Sequence, residues 1–270
     1  MPIPDFTGRS IAELISLQGK SAVITGGARG IGLAIGTRLA EAGASVYLAD
    51  VDAALAETSA RSLTEKGYKA ASGTVDVTKS ASISTLADQV MQQLGSIDIW
   101  VNNAGIYPSN PLLEMSDEAW SRVIDINLTG TFIGAREAAK RMVTANRGGV
   151  IINLASTAGY RASEGLAHYV STKHAVRGLT KSLAVELGRY NIRVLALAPT
   201  FIQTPGTTVF NTDRTTEGQV DMGQAYAARL PLGRVGVPDD IARVALFCAS
   251  DLSAFMTGST IPVDAGDLAV

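Results

Sequence analysis

Along the chain, short apolar runs alternate with longer segments in which apolar residues return every three or four positions. The short runs are Ser21–Thr25 (SAVIT), Ser45–Ala49 (SVYLA), Lys69–Val75, Asp98–Val101 (DIWV), Gly149–Leu154 (GVIINL), Asn191–Leu197 (NIRVLAL) and Thr260–Val263. Most are apolar almost throughout, as expected of strands covered on both faces of a parallel sheet. The segments between them read as helices: Gly30–Glu41, Asp52–Lys66, Lys79–Leu94, Ser116–Ala145, Gly165–Arg189 and Pro238–Ala249. Ile31, Ala34, Ile35 and Leu39 form an apolar stripe on the first, and Val176, Leu179 and Leu183 on the fifth. Strand and helix in alternation predict an α/β doubly wound fold of about seven parallel strands with helices on both faces. No linker, low-complexity tract or repeat divides the chain. Residues 19–270 are therefore expected to form a single domain, and residues 1–18 an extension packed outside it or frayed.

Composition narrows the function classes. Of 270 residues, 46% are apolar and 18% charged, which excludes global disorder. The formal charge is −2, so no basic footprint for a nucleic acid or a membrane surface is present. The single cysteine, Cys248, excludes an intramolecular disulfide framework and a cysteine-rich zinc site. No His/Asp/Glu cluster has metal-ligand spacing, and no metal is expected. No apolar run approaches the roughly 18 residues of a membrane span. Met1–Asp5 lacks the basic and apolar regions of a secretory signal, so a cytoplasmic address is expected.

Candidate chemistry begins after the first predicted strand. Thr25-Gly26-Gly27-Ala28-Arg29-Gly30-Ile31-Gly32 opens the first helix, whose free N–H groups and dipole suit a phosphate. Gly26 allows a tight turn, Gly30 a close approach of pyrophosphate, and Gly32 close packing of helix on strand. The spacing is G-x-x-x-G-x-G, which differs from G-x-G-x-x-G. Asp50 ends the second strand, 18 residues past Gly32, where an acid binds the adenosine ribose hydroxyls and repels a 2′-phosphate. Asp52 adds to that repulsion, whereas Arg29 is a competing signal because its guanidinium suits a 2′-phosphate. On balance NAD is the expected cofactor.

Tyr169 and Lys173 are four residues apart at the start of a predicted helix and share a face. A tyrosine has an ordinary pKa near 10, and a neighbouring ammonium lowers it towards the range where it exchanges protons at neutral pH. Ser156 lies 13 residues earlier, after the strand Gly149–Leu154. Asn102-Asn103-Ala104-Gly105 follows the fourth strand, and Asn127 lies in the next helix. All are predicted at the carboxyl edge of the sheet, where open α/β sheets bind ligands.

TGGARGIG at Thr25–Gly32, DVT at Asp76–Thr78, NNAG at Asn102–Gly105, Asn127, Ser156, YVSTK at Tyr169–Lys173 and the stretch Gly258–Gly266 together resemble the short-chain dehydrogenase/reductase family. The resemblance runs from about Gly19 to the C-terminus. It implies a Rossmann-type fold and an oxidoreductase that moves a hydride between a nicotinamide cofactor and a ketone or secondary alcohol. By that resemblance Tyr169 is the general acid/base, Lys173 lowers its pKa and holds the nicotinamide ribose, and Ser156 binds the substrate oxygen. Asn127 holds a relay water. Asp76 and Val77 flank the adenine, Asn103 the adenosine-side ribose, and Ile202 and Thr204 the nicotinamide amide. Ile31, Ala104, Gly105 and Pro199 complete the cofactor site.

Two departures stand out. Pro199 is followed by Thr200 where the family has glycine, which places a side chain beside the nicotinamide. Ala265 replaces a glycine, so a positive φ there would be strained and the loop is expected to differ. The irregular segment Phe201–Leu230 is the expected substrate lid, bringing Phe201, Val209, Phe210, Met222 and Tyr226. Tyr107, Pro108 and Tyr160 are expected on the opposite wall of a mostly apolar pocket, with Thr157, Ser163 and Glu164 as possible polar contacts. His168 and His174 flank the tyrosine motif and receive no catalytic role, since Tyr169 supplies the acid–base group. Trp100 and Cys248 are expected in the core, and Trp120 at a helix or subunit surface. The resemblance implies a homotetramer pairing the helices around Ser116–Ala145 and Gly165–Arg189. Two other readings remain open: an NADPH-dependent 3-oxoacyl-carrier-protein reductase, and a nucleotide-sensing protein without turnover.

Overall fold

A computed structural model describes residues 4–206 and 222–270. Seven strands, β1 (Ser21–Thr25), β2 (Ser45–Asp50), β3 (Ala70–Thr74), β4 (Ile99–Asn102), β5 (Gly149–Leu154), β6 (Ile192–Pro199) and β7 (Thr260–Val263), form a sheet ordered β3-β2-β1-β4-β5-β6-β7. Every pairing is parallel, as the unbroken apolar runs predict. The chain reverses direction across the sheet at β1, which pairs with β2 on one side and β4 on the other. In open sheets of this order, the switch point at the carboxyl ends of the strands is where a ligand crevice is expected.

Period-two alternation splits the strand residues between two cores. Ile24, Val46, Leu48, Val101, Ile152 and Leu197 face α2 (Gly30–Glu41) and the late helix Pro238–Ala249, packing with Ile35, Leu39, Ile241 and Ala245. Val23, Tyr47, Trp100, Ile151 and Val194 face the other layer, against Ile83, Leu86 and Val90 of α4 (Ser80–Leu94) and Ile133 and Met142 of α6 (Gly130–Ala145). Each fully buried leucine or isoleucine contributes roughly 1.5–3 kcal/mol, so the sheet is a stiff platform for the groups at its edge. Trp100 and Cys248 are core residues, as expected, and burial pushes the Cys248 thiol up to about 12, which leaves it unreactive.

Three local features differ from expectation. The predicted helix Ser116–Ala145 is interrupted: α5 (Asp117–Ile124) and α6 are joined by a π-helical turn, Asp125–Thr129, that contains Asn127. From residue 4 onward the N-terminal extension is tied to the domain and not wholly external. Ser10 and Glu13 form a capping box on the one-and-a-half-turn α1 (Ile11–Ile15), Arg9 pairs with Asp251, and Leu17 is buried in the core. The segment after β6 carries a short helix, α8 (Met222–Ala227), before α9 (Pro238–Ala249). Val209 and Phe210 lie outside the described residues, as does the side chain of Met222. The remaining helices are α3 (Ala53–Glu65) and α7 (Ala167–Leu187). No described helix is long and apolar enough to cross a membrane. Among the described residues no group of three His, Cys, Asp or Glu side chains is placed to hold a metal.

Candidate active site

The glycine loop leaves β1 and turns into α2 at the crevice. Gly26 has φ +63°, and a Cβ there would lie 2.9 Å from the Ala104 Cα, so both the turn and the close approach of the β4 exit require glycine. A Cβ at Gly32 would sit 2.2 Å from the Gly26 carbonyl oxygen, so the first turn of α2 packs on the glycine loop only without a side chain there. Arg29 occupies the N-cap position of α2 without a side-chain capping bond. The first-turn N–H groups at Gly30, Ile31 and Gly32 are thus uncapped by any side chain at the N-cap, the arrangement that suits a pyrophosphate.

Asp50 ends β2 beside this loop. Its Oδ2 accepts from the Ala28 N–H at 3.1 Å and its Oδ1 from the Asp52 N–H at 3.2 Å. These bonds hold the carboxylate beside the glycine loop, and each oxygen keeps a lone pair for a further donor. Asp76 follows β3, where Val75 N–H donates to the Asp50 carbonyl. The Asp76 carboxylate caps its own turn through Thr78 and pairs with Lys79 at 3.1 Å; the Thr78 bonds lead in holding its pKa below the ordinary value. Val77 packs against Gly130 of α6.

Asn103 ties the exit of β4 to the glycine loop. Its amide donates to the Thr25 and Gly26 carbonyls at 3.0 and 2.9 Å, and its own N–H donates to Thr25 Oγ1 at 3.1 Å. Both amide hydrogens are occupied by the glycine loop, so Asn103 positions that loop, and its Oδ1 and main-chain carbonyl are the atoms left to accept from a ribose hydroxyl. Gly105 follows, exposed in the crevice.

At the other end of the crevice stand the acid–base candidates. Ser156, at the exit of β5, accepts from the Ala158 N–H at 3.1 Å, and its hydroxyl lies 3.4 Å from the Pro199 carbonyl that ends β6. The same hydroxyl is a hydrogen-bond partner of the Tyr169 phenol. Lys173, one turn along α7, is buried; its Nζ lies 5.5 Å from the Tyr169 ring centroid and donates to the Leu154 carbonyl at 2.6 Å. Sequence spacing alone predicts that the ammonium lowers the phenol. The geometry corrects this for the resting protein. Burial pushes Tyr169 up to about 12, with the Ser156 hydrogen bond opposing, and burial brings Lys173 down to about 8. Tyr169 still shows part of its surface to the crevice, so the protein packed around its hydroxyl sets this shift.

Asn127 is buried in the π-helical turn, and its side chain is taken. Its Oδ1 accepts from the Ile106 N–H at 2.9 Å and its Nδ2 donates to the Ile106 carbonyl at 2.7 Å. The Asn127 main-chain carbonyl accepts from Thr131 Oγ1 at 2.8 Å and keeps a second lone pair that a relay water could use. Tyr107 follows this anchor and presents its ring edge-on to Tyr169, with centroids 6.1 Å apart.

Phe201, Ile202 and Thr204 leave β6 along the crevice. Ile202 bridges to Gly236, and Thr204 reaches the glycine loop, its Cγ2 3.5 Å from where a Gly30 Cβ would be. Tyr160 does not join the expected pocket. Its ring is covered by the Arg177 guanidinium at 3.5 Å and its hydroxyl donates to the Thr260 carbonyl at 3.2 Å. Thr157 is buried in the turn after Ser156, while Ser163 and Glu164 are exposed. His174 points to solvent and bonds the Val170 carbonyl.

The two departures have structural answers. The Thr200 hydroxyl joins a cluster on buried Asp267, whose carboxylate also accepts from Arg161 and from the Tyr226 hydroxyl at 2.8 Å. Burial alone would raise the Asp267 carboxyl; the Thr200, Arg161 and Tyr226 donors outweigh it and hold it low. Tyr226 in turn packs on Phe201, centroids 5.5 Å apart, so the cluster ties α8 and the C-terminal turn to the exit of β6. Thr200 was a visible signal in the sequence; its partners, 26 to 67 residues away, were not. Ala265 does adopt the left-handed conformation, φ +54°, so the turn keeps a glycine-type geometry against the expectation that it would differ.

Comparison with known proteins agrees with this geometry. Residues 26–267 match the family model described as enoyl-(acyl carrier protein) reductase. A Chlamydia muridarum protein named 3-oxoacyl-(acyl-carrier-protein) reductase is 38% identical over 251 residues, covering 93% of this chain and 98% of its own. The 3beta-hydroxysteroid dehydrogenase 1 of Eggerthella lenta is 39% identical over 254 residues, covering 93% and 94%. A gluconate 5-dehydrogenase from Burkholderia cenocepacia, solved in complex with NADP and tartrate, superposes with a TM-score of 0.89 at 34% identity, over 97% of this chain and 100% of that one. With the sheet order, the glycine loop and the Ser156, Tyr169 and Lys173 arrangement in place, these matches show that the chain belongs to the short-chain dehydrogenase/reductase family of oxidoreductases.

Proposed function

We propose that this chain is an NAD(H)-dependent dehydrogenase that interconverts a secondary alcohol and a ketone. The observation that carries the reading is the convergence of the Ser156 hydroxyl, the Tyr169 phenol and the buried Lys173 amine at the carboxyl edge of β5 and β6. Asp50, fixed by two backbone N–H groups at the adenosine end, supports NAD over NADP, because a 2′-phosphate beside a carboxylate is repelled. The uncapped first turn of α2 suits the pyrophosphate, and Ile202 and Thr204 suit the nicotinamide end. The cofactor, when bound, supplies or accepts the hydride.

The chain's own groups do the rest. In reduction, the Ser156 hydroxyl donates to the substrate oxygen where negative charge develops, and the Tyr169 phenol gives that oxygen its proton. In oxidation, the phenolate takes the alcohol proton. A phenol held at about 12 is a poor base at neutral pH. Each unit of lowering requires about 1.4 kcal/mol of extra stabilisation of the phenolate. The Lys173 charge, released from the Leu154 carbonyl to the ribose side of the phenol, is the group placed to supply it. Phe201, Tyr107 and Tyr226 give the substrate a mainly apolar wall. A homotetramer paired through α5, α6 and α7 is supported by Trp120 and Phe132, which are 40% and 42% exposed on those helices; a monomer mass at micromolar concentration would overturn it.

The second reading, an NADPH-dependent 3-oxoacyl-carrier-protein reductase, is favoured by the name of the Chlamydia relative and by the NADP held in the Burkholderia structure. A panel of secondary alcohols with NAD and with NADP, followed at 340 nm, separates the two. Faster oxidation with NAD supports the first reading. Faster reduction of an acyl-carrier substrate with NADPH than of simple ketones with NADH selects the second. In either case Tyr169→Phe removes turnover and leaves NADH binding intact; unchanged turnover would sink the assigned chemistry.

A further inference from the structure

His168 is the residue before the catalytic tyrosine, and its side chain is fully buried. α7 has no side-chain cap at its N-cap residue, Leu166. Early N–H groups of a helix lack intrahelical acceptors. One of them, the Tyr169 N–H, donates to His168 Nδ1 at 2.8 Å. A backbone N–H can only donate, so Nδ1 carries no proton and the neutral ring carries its hydrogen on Nε2. That nitrogen lies 3.2 Å from Asn110 Oδ1, to which it donates. The Asn110 N–H donates to the Gly165 carbonyl at 2.8 Å, just ahead of α7. The opposite end of the same loop is held at Ile106 by the two Asn127 hydrogen bonds. Between these anchors lies Tyr107, edge-on to the Tyr169 ring. One imidazole thus bonds the backbone of the acid–base residue and the loop that carries the facing wall.

We propose that His168 and Asn110 form a clamp that fixes Tyr107 against Tyr169 and thereby sets the affinity for the substrate. Both are positioning residues, acting through the loop. The proposal rests on the reading of Tyr169 as the acid/base group. It predicts an effect on the substrate side of the crevice and not on the cofactor side, since the glycine loop, Asp50 and Asn103 share no bond with the clamp.

The test is a double-mutant cycle of His168→Asn and Asn110→Ala. Asparagine at 168 places its Oδ1 where Nδ1 stood, so the Tyr169 N–H keeps its acceptor, but the side chain stops short of Asn110. Each single variant is expected to raise the ketone KM by roughly 3- to 10-fold, the range that one neutral hydrogen bond supports. The KM for NADH and kcat are expected to stay within about twofold. The double variant is expected to be no worse than the weaker single, because both remove the same bond. Additive effects, equal rises in both KM values, or an unchanged ketone KM would overturn the clamp. Should His168→Asn fail to fold, Asn110→Ala alone still reads the KM split. Hydrogen exchange over residues 107–110 of the cofactor-free protein is expected to quicken in either variant, whatever the fate of the catalytic reading. Unchanged exchange refutes the clamp, whereas turnover that survives Tyr169→Phe refutes the reading on which it rests.

Discussion

Lys173→Met is expected to make the cofactor-free protein more stable at neutral pH while removing its turnover. The amine is buried against the Leu154 carbonyl, and burial brings its pKa from 10.5 to about 8. At about 1.4 kcal/mol per unit, carrying the ammonium inside costs the fold about 3 kcal/mol. Methionine keeps most of the aliphatic volume and removes the charge, but it leaves the Leu154 carbonyl without this donor, a loss of roughly 1–2 kcal/mol. The net gain at pH 7 is then about 1–2 kcal/mol, or a Tm rise of about 2–8 °C for a chain of this size. The pH dependence is the sharper test. Between pH 8 and 10.5 the folded amine is neutral while the unfolded one is still protonated. The unfolded chain therefore binds more protons there, and wild-type stability rises with pH through that window. The advantage of the variant is full below pH 8 and gone by pH 10.5, where the orphaned carbonyl leaves it the less stable protein. Tyr169 titrates in both proteins and cancels in the difference. Urea melts of both at pH 7, 8, 9 and 10.5 check this; a variant weaker than wild type at pH 7, or a difference flat with pH, would refute the reasoning.

Asp50→Ser is expected to shift the kcat/KM ratio towards NADP by on the order of 10- to 100-fold, as a repulsion of a few kcal/mol is removed; an unchanged ratio in the 340 nm assay would show that Asp50 is not the selector. Ala265→Gly relieves a left-handed residue, a strain of roughly 1–2 kcal/mol, against an unfolded-state entropy penalty of about 0.4–1 kcal/mol, so a net stabilisation of about 0.5–1 kcal/mol is expected. A lower melting temperature would contradict it. Asp267→Asn keeps the shape of the cluster but removes the charge that Arg161 faces; with Arg161 one-third exposed, a loss of about 1–3 kcal/mol is expected at pH 7. Because the folded carboxyl is held low, wild type loses this contribution as pH falls below the ordinary carboxylate range, so the two melting curves should converge there.

Where local pattern decides structure, the chain could be read directly. The strand carrying Val23 and Ile24 needs only its apolar run, and the glycine loop needs only its spacing, because the clashes that exclude a Cβ at Gly26 and Gly32 arise from the turn itself or from the adjoining β4 exit. The capping box of α1 was not read from Ser10 and Glu13, and the extension carrying it was expected to be external or frayed. The π-helical turn left no such mark, since Asp125–Thr129 continues the helical pattern and the Asn127–Ile106 bonds made from it join residues 21 apart. Tyr169 and Lys173 were correctly placed by helical spacing. The sign of the Tyr169 pKa shift was not, because spacing reveals proximity but not the burial that dominates the group. Tyr160 was misjudged for a related reason: its ring and hydroxyl have partners on other segments that only the folded chain brings near.

The central position of β1 also bears on how the protein is made. Its partners are β2 and β4, and the ribosome delivers β2 and β3 long before β4. About 75 residues separate the end of β1 from the start of β4, roughly 4–15 s of synthesis at 5–20 residues per second. Through that interval the apolar edge at Ala22, Val23 and Ile24 has no strand beside it, a template for pairing with another nascent chain. The crevice forms along the same edge, so no nucleotide can shield it until β4 arrives. Yield of soluble protein should therefore respond to translation speed and to chaperones that cover β1 more than to the stability of the finished fold.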